Sequence, residues 1–467
     1  MPATGAPALD LQRYEAILPG LVTVRARGRV VQMVGMTAEA VGVTARTGEL
    51  CYILDEVSGE RRAAEVVGFR DGRLLLVPLD ALAGVLPGSQ VISSGRAFRV
   101  PVGGGMLGRV LDGLARPIDG LGPVEAEAFV ATQAGTPAPL DRTKIEQPFY
   151  TGIRSIDAMI TLGVGQRIGI FSGSGVGKST VLGMIARYAS SDINVIALIG
   201  ERGREVREFL EDTLSAEARA RSVVVVATSD QPALMRVKAA WVATAIAEWF
   251  REQGRSVLLL MDSLTRFAMA QREISLTVGE PPAVRGYTPS VFAMLPSLLE
   301  RAGTSANGAI TGLYTVLVEG DDLQEPITDT VRGVLDGHIV LSRALAQENH
   351  YPPVDVLASV SRLAAAVQSP EHARAAARLR ELLAAYADAR DLISIGAYQA
   401  GSDADVDYMI RARPEVNAFL RQLPEDGASF ASTLTDLLTL APPAGALVEA
   451  PSGAPGEAVT GSEAPHA

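Results

Sequence analysis

From Val22 to Gly95 the apolar residues come in short runs cut by turn signals. The runs are Val22-Thr-Val-Arg-Ala-Arg, Arg29-Val-Val-Gln-Met-Val, Leu50-Cys-Tyr-Ile-Leu, Ala63-Ala-Glu-Val-Val-Gly-Phe and Arg73-Leu-Leu-Leu-Val, with Asp71-Gly72 and Pro87-Gly88 between them. Short strands at this spacing predict a small β-barrel. Ahead of it, Leu9 to Leu18 has the period of an amphipathic helix, either a lead-in or a docking arm. From Pro101 to about Ala366 the pattern changes. Near-continuous apolar runs at Gln166–Phe171, Asn194–Ile199, Ser222–Ala227, Ser256–Met261 and Thr311–Val318 alternate with helical periods, notably Gln231 to Gln253 and Ser263 to Ser275. Such strands with helical crossovers predict an α/β fold, a parallel sheet covered on both faces. After Gln368 the period is helical. Ser369-Pro370-Glu371 combines an N-cap hydroxyl, a first-turn proline and an acid at the positive end of the dipole. Further helices are predicted from Ser402 to Ala412 and from Ala428 to Leu440. The division expected is an arm and barrel (1–97), an α/β domain (98–366), a helical domain (367–441) and a disordered Ala/Pro/Gly/Ser/Glu-rich tail (442–467).

Composition narrows the classes. The chain has 467 residues, 48% apolar and 20% charged, which suits a globular protein of two or three domains. A net charge of −11 argues against a binder of nucleic acid, which needs a basic face. The single cysteine, Cys51, cannot form an internal disulfide and reads as a small buried strand residue in a reducing compartment. Met1 to Asp10 has neither a basic segment nor an apolar core, and no apolar run approaches the roughly 20 residues that span a bilayer. A cytoplasmic protein, or one peripheral to a membrane, is expected.

The candidate chemistry begins at Gly169-Ile-Phe-Ser-Gly-Ser-Gly-Val-Gly-Lys-Ser-Thr180, which follows an apolar strand and opens a helical stretch from Val181 to Tyr188. Glycines there let backbone N–H groups close on phosphate oxygens, Lys178 reaches the outer phosphates, and Ser179 can ligate magnesium. The nucleotide contacts expected are Ser172, Gly173, Ser174, Gly175, Val176, Gly177, Lys178, Ser179 and Thr180, with Arg202 counted among them. Ser172 stands where a glycine or alanine is usual, and is small enough to fit. Ser256-Val-Leu-Leu-Leu-Met-Asp262 is an apolar strand ending in a carboxylate that can hold magnesium through water, opposite Ser179. Glu201 follows the strand Asn194–Ile199 and reads equally as a carboxylate orienting the attacking water or as a solvated turn acid. Arg362, in Ala358-Ser-Val-Ser-Arg-Leu, is either an arginine that neutralises charge on a transferred phosphoryl group or a partner in a salt bridge. His338, His350, His372 and His466 are scattered and suggest no zinc site. Trp241 and Trp249 lie on similar faces of one helical run and read as core or interface.

Taken together, Thr151-Gly-Ile-Arg-Ser-Ile-Asp157, Gly173-Ser-Gly-Val-Gly-Lys-Ser179, Gly200-Glu-Arg-Gly-Arg-Glu205, Asp262-Ser-Leu-Thr-Arg266, Gly279-Glu-Pro-Pro282, Gly286-Tyr287 and Leu335-Asp-Gly-His-Ile-Val-Leu-Ser342 resemble the type III secretion ATPases. That family is similar to the catalytic β subunits of rotary ATP synthases. The resemblance covers nearly the whole chain up to about Leu440. It implies a RecA-like P-loop ATPase core with an N-terminal barrel and a helical C-terminal domain, ATP and Mg as cofactors, and a homohexameric ring. It implies Glu201 as catalytic base and Arg362 as a finger reaching across a subunit boundary. The partners implied are a regulator dimer, a coiled-coil stalk protein, export chaperones with their substrates and the export gate, at the cytoplasmic side of the inner membrane. Ser369 to Tyr386 and Ile395 to Ser402 resemble flagellar export ATPases more than injectisome ones. Where the β subunit has an adenine-stacking tyrosine after a Glu-His pair, this chain has Ala373, which implies a looser base pocket. Gly401-Ser-Asp-Ala-Asp-Val-Asp407 resembles the β subunit's acidic stalk-contacting loop; Asp403, Asp405 and Asp407 are either a collar for a basic coiled coil or the acidic first turn of a helix capped by Ser402. Two other readings remain at this point: a ring subunit whose nucleotide is structural, and an RNA helicase of the same core.

Overall fold

The computed structural model describes residues 27–79, 84–318, 320, 322 and 324–443; the lead-in helix expected over Leu9 to Leu18, the run beginning at Val22 and nearly all of the tail lie outside them. Six antiparallel strands, Arg27–Val34, Thr37–Val41, Glu49–Leu54, Arg61–Arg70, Arg73–Pro78 and Gln90–Ala97, close into a barrel. Asp71 and Gly72 both take positive φ (49° and 72°), forming the two-residue hairpin turn that joins Arg61–Arg70 to Arg73–Pro78. Alternate residues point inward, so Val30, Ala40, Cys51, Ile53, Val66, Leu76 and Val91 fill the barrel. Cys51 is wholly buried and burial, with the Glu49 charge, pushes its thiol up to about 12, so it is inert packing.

The second unit is a nine-stranded sheet among the described residues. Along it run Val354–Ser361, Gly337–Leu341, Arg167–Ser172, Ala309–Leu317, Ser256–Asp262, Ile193–Ile199, Ser222–Ala227 and Val110–Asp112, all parallel except the first, and the ninth, Gly303–Thr304, pairs antiparallel with Ala309–Leu317. Every residue of Ile193–Ile199 and of Ser222–Ala227 is buried, because helices cover both faces. The helix Ala233–Glu252 carries Trp241, which meets Phe267 edge-on at 6.3 Å and lies under the Arg301 guanidinium, while Trp249 meets Phe250; both tryptophans are packing residues. Parallel strands deliver their C-terminal ends to one edge, and Ser172, Ile199 and Asp262 arrive there together.

The helices Pro370–Ser394, Ala404–Leu420 and Phe430–Leu440 pack on that unit. The second runs eight residues past the expected stop at Ala412, straight through the exposed Pro414. Val416, Phe419 and Leu420 are buried beyond the proline, and burying three apolar side chains at about 1.5–3 kcal/mol each outweighs a proline's cost of about 3 kcal/mol. Its cap is Asp403 rather than Ser402: the Asp403 carboxylate accepts from the N–H groups of Asp405 and Val406, while Ser402 Oγ donates to the Gln399 carbonyl at 2.7 Å. Asp405 is paired bidentately with Arg378 (2.8 and 2.5 Å), and Asp407 accepts from Tyr398 Oη and Gly401 N at 3.0 and 2.7 Å. The acids expected as a collar are therefore engaged within the chain, as the cap reading has it.

Candidate nucleotide site

The loop between the strand Arg167–Ser172 and the helix Lys178–Tyr188 turns through Gly175 and Gly177, at φ 76° and 98°, where a side chain would be strained. Val176 is buried and pins the loop, leaving Ser174 and Gly175 exposed. The helix starts after Gly177 with no side-chain cap, so its first amides and its dipole face the loop's concavity, with Ser179 and Thr180 exposed in the first turn. That is an arrangement for anionic oxygens. Ser172 closes the strand, 2% exposed, its hydroxyl without a hydrogen-bond partner among the described residues.

Lys178 reaches across this edge. Its Nζ bonds Asp262 Oδ1 closely and Glu201 Oε1 at 3.3 Å, and Thr315 Oγ1 donates to the same Asp262 oxygen at 2.7 Å. Burial alone would lower the Lys178 ammonium, but the two carboxylates outweigh it and hold it above the ordinary lysine value. Glu201 is pushed up to about 7 by burial first, then by the Asp262 charge and a hydrogen bond with Glu205, against the pull of Lys178. Glu205 moves the other way, held down by that same hydrogen bond. A carboxylate near neutrality beside a lysine and a second acid is fit to take a proton from water.

Two expected residues are not in that cluster. Arg202 holds the N-cap position of the helix Gly203–Glu208 without a side-chain capping bond, exposed, its guanidinium 3.3 Å from Glu205. Arg362 leaves the sheet at its far end. The strand Val354–Ser361 runs antiparallel to Gly337–Leu341, pairing Val354 with Leu341 beside Ser172 and Ser361 with Gly337 away from it. Arg362 follows Ser361, exposed, with its N–H on the Asp336 carbonyl. The chain thus brings Lys178, Glu201 and Asp262 together and keeps Arg362 apart from them.

Neighbours that spacing did not single out complete the edge. The Arg266 side chain packs against Gly200, 2.9 Å from where a Cβ would lie, and the φ of 72° there also favours glycine. Arg343 Nη1 donates to the Ser174 carbonyl at 3.3 Å. The Tyr351 ring, 43% exposed, stands 3.6 Å from where a Cβ on Gly177 would lie. By contrast Ala373 follows His372, whose Nε2 is 2.8 Å from the Ala158 carbonyl, on the helix that packs where Gln368 meets Thr161. The aromatic group beside the phosphate loop is therefore Tyr351. Only Glu205, four residues after Glu201, left a local trace in the sequence.

The donor set fits Mg. Asp262 is a buried carboxylate with one oxygen uncommitted, and Ser179 offers an exposed hydroxyl at the helix start.

Residues 152–361 match the ATP synthase alpha/beta family, nucleotide-binding domain, and residues 368–439 match the T3SS EscN ATPase C-terminal domain. The chain is 51% identical over 414 residues to the flagellum-specific ATP synthase of Bacillus subtilis, covering 88% of this chain and 94% of that one. It is 50% identical over 425 residues to the type 3 secretion system ATPase of Xanthomonas euvesicatoria, covering 91% and 96%. The assembled ATPase EscN of enteropathogenic E. coli, in complex with its central stalk EscO, matches with a TM-score of 0.83 at 44% identity, covering 89% of this chain and 100% of that chain. Fold and site define a P-loop ATPase of the ATP synthase α/β type. Within that class the chain belongs to the type III secretion and flagellar export ATPases.

Proposed function

We propose that this ATPase works as a homohexameric ring that hydrolyses Mg·ATP at its subunit boundaries to drive export of flagellar proteins. The observation that carries the reading is the separation just described: Lys178, Glu201 and Asp262 meet at one sheet edge, and Arg362 emerges at the other. A ring brings the Arg362 edge of one copy to the Lys178 edge of the next. In this reading the loop amides and Lys178 hold the phosphates, Glu201 takes the proton of the attacking water, and Arg362 of the neighbouring copy steadies the charge that develops. Ser179 and Asp262, the latter through water, would hold Mg, which neutralises phosphate charge when bound. Tyr351 offers its ring to the base.

EscN is seen assembled and with a central stalk, which supports a ring and a stalk partner here as well. A regulator dimer, chaperone–substrate complexes and an export gate at the inner membrane complete the proposal, and no helix among the described residues is long and apolar enough to cross that membrane. The flagellar assignment rests on Ser369 to Tyr386 and Ile395 to Ser402; the injectisome reading has relatives of similar identity. Phosphate release from the purified chain tests the enzyme, and deletion of its gene tests the system. Loss of flagella with secretion of effectors intact is expected; the opposite pattern would reassign the chain to an injectisome.

A further inference from the structure

A cavity of about 730 Å³ lies between residues 342–357 and the helices Pro370–Ser394 and Ala404–Leu420. Its floor is apolar, made by Val354, Leu383, Met409 and Leu420. Of its acids, Glu348 pairs with Arg390 at 2.7 Å, and Asp355 is held by the N–H groups of Leu357 and Ala358. Its remaining guanidiniums are those of Arg413 and Arg421. Arg413 lies 5.1 Å over the Tyr386 ring and donates to Tyr386 Oη, with no carboxylate paired to it among the described residues. The Arg421 guanidinium has no hydrogen-bond or ion-pair partner among the described residues. An apolar floor, a flat Tyr386–Arg413 face and two guanidiniums against the single unpaired carboxylate of Asp355 select an aromatic anion, and the volume is that of a small-molecule site rather than a protein groove.

The wall formed by 342–353 also touches the phosphate loop. Arg343 bonds the Ser174 carbonyl, and Tyr351 and Pro353 come within 4 Å of where a Cβ on Gly177 would stand. The same segment is tied to the C-terminal helices through Arg390 and through Gln422 N–H to the Tyr351 carbonyl. We propose that this cavity is a regulatory site for a small aromatic anion, and that its occupancy is coupled to nucleotide held on the phosphate loop. The coupling rests on the nucleotide reading above; the site itself does not.

The probe is 8-anilinonaphthalene-1-sulfonate, titrated by fluorescence into the full chain with ADP saturating, so that the phosphate loop is filled. A single saturable site is expected. Arg421→Glu should weaken it about tenfold or more, and Ala387→Trp, which fills the cavity from an exposed helix position, should abolish it. Ala387→Trp should keep the wild-type circular dichroism and ADP affinity, which separates lost binding from lost folding. Saturating probe should shift the ADP dissociation constant about threefold or more in the wild type and not in Ala387→Trp, since coupling is reciprocal. No saturable binding, binding that ADP displaces, or binding unchanged in both variants overturns the site. Binding with no shift in ADP affinity overturns the coupling. Every readout is a binding measurement, so a chain that fails to hydrolyse ATP still tests the proposal.

Discussion

Lys178 and Glu201 are one hydrogen bond apart, yet their losses should be felt at different stages. Lys178 serves bound nucleotide and transition state alike, so Lys178→Ala should weaken nucleotide binding and hydrolysis together. Glu201 acts on the attacking water, so Glu201→Gln should keep nucleotide while kcat falls roughly 100-fold or more. Equal loss of affinity in both variants, measured by equilibrium binding, would sink the assignment. The raised Glu201 adds a pH test. A base must be ionised to accept a proton, so kcat/KM, which reports the free enzyme, should climb as pH rises through about 7. The hydrogen bond that protonated Glu201 donates to Glu205 is one of the influences that raise Glu201, so Glu205→Ala should move that limb to lower pH. A limb that stays in place in Glu205→Ala means the two carboxyls do not interact. At this scale the phosphate loop was legible because its chemistry is local: glycines, a lysine and a hydroxyl within eight residues. Tyr351 and Arg343 were not, because they come to that loop from more than 160 positions away and only the sheet brings them.

The C-terminal helices show what periodicity conveys and what it hides. Ser369, placed before Pro370 and Glu371, caps its helix as spacing predicts, accepting from the His372 N–H. The next helix, expected to stop at Ala412, runs on through Pro414 to Leu420, because the buried face beyond the proline outweighs its missing N–H. The short strands Val110–Asp112 and Gly337–Leu341 were likewise unread, being too brief for a pattern and defined by their partners. The acidic turn is the sharper case, because three carboxylates within five residues look like a surface for a basic partner until their bonds are traced. Arg378 is mostly buried and Asp405 is its bidentate partner, so Asp405→Ala would leave that guanidinium only Glu381 at 3.3 Å and the Pro442 carbonyl at 3.2 Å. The expected cost is about 1–2 kcal/mol, seen as a lowered thermal midpoint with basal ATPase activity kept. If stability holds and only stimulation by a stalk protein is lost, the acids face a partner after all.

For the whole molecule, the fact with most consequence is the end of the sheet from which Arg362 emerges. Four residue steps along Gly337–Leu341 separate the pairing beside Ser172 from the pairing beside Arg362, a rise of about 3.3 Å each. An arginine side chain cannot cross that span and pass round the sheet to its own Lys178. If Arg362 takes part in the reaction it does so on another copy, and specific activity should then rise cooperatively with protein concentration. Arg362→Ala should bind nucleotide normally and turn over negligibly. Mixed with Glu201→Gln, itself inactive, it should regain some turnover, because certain boundaries then join an intact Glu201 to an intact Arg362. The recovered rate should follow the mixing ratio, with a maximum between the two pure variants and none at either end. Mixed rings shown to form, by mass or by cross-linking, and still inactive at every ratio would mean that Arg362 serves only the chain that carries it.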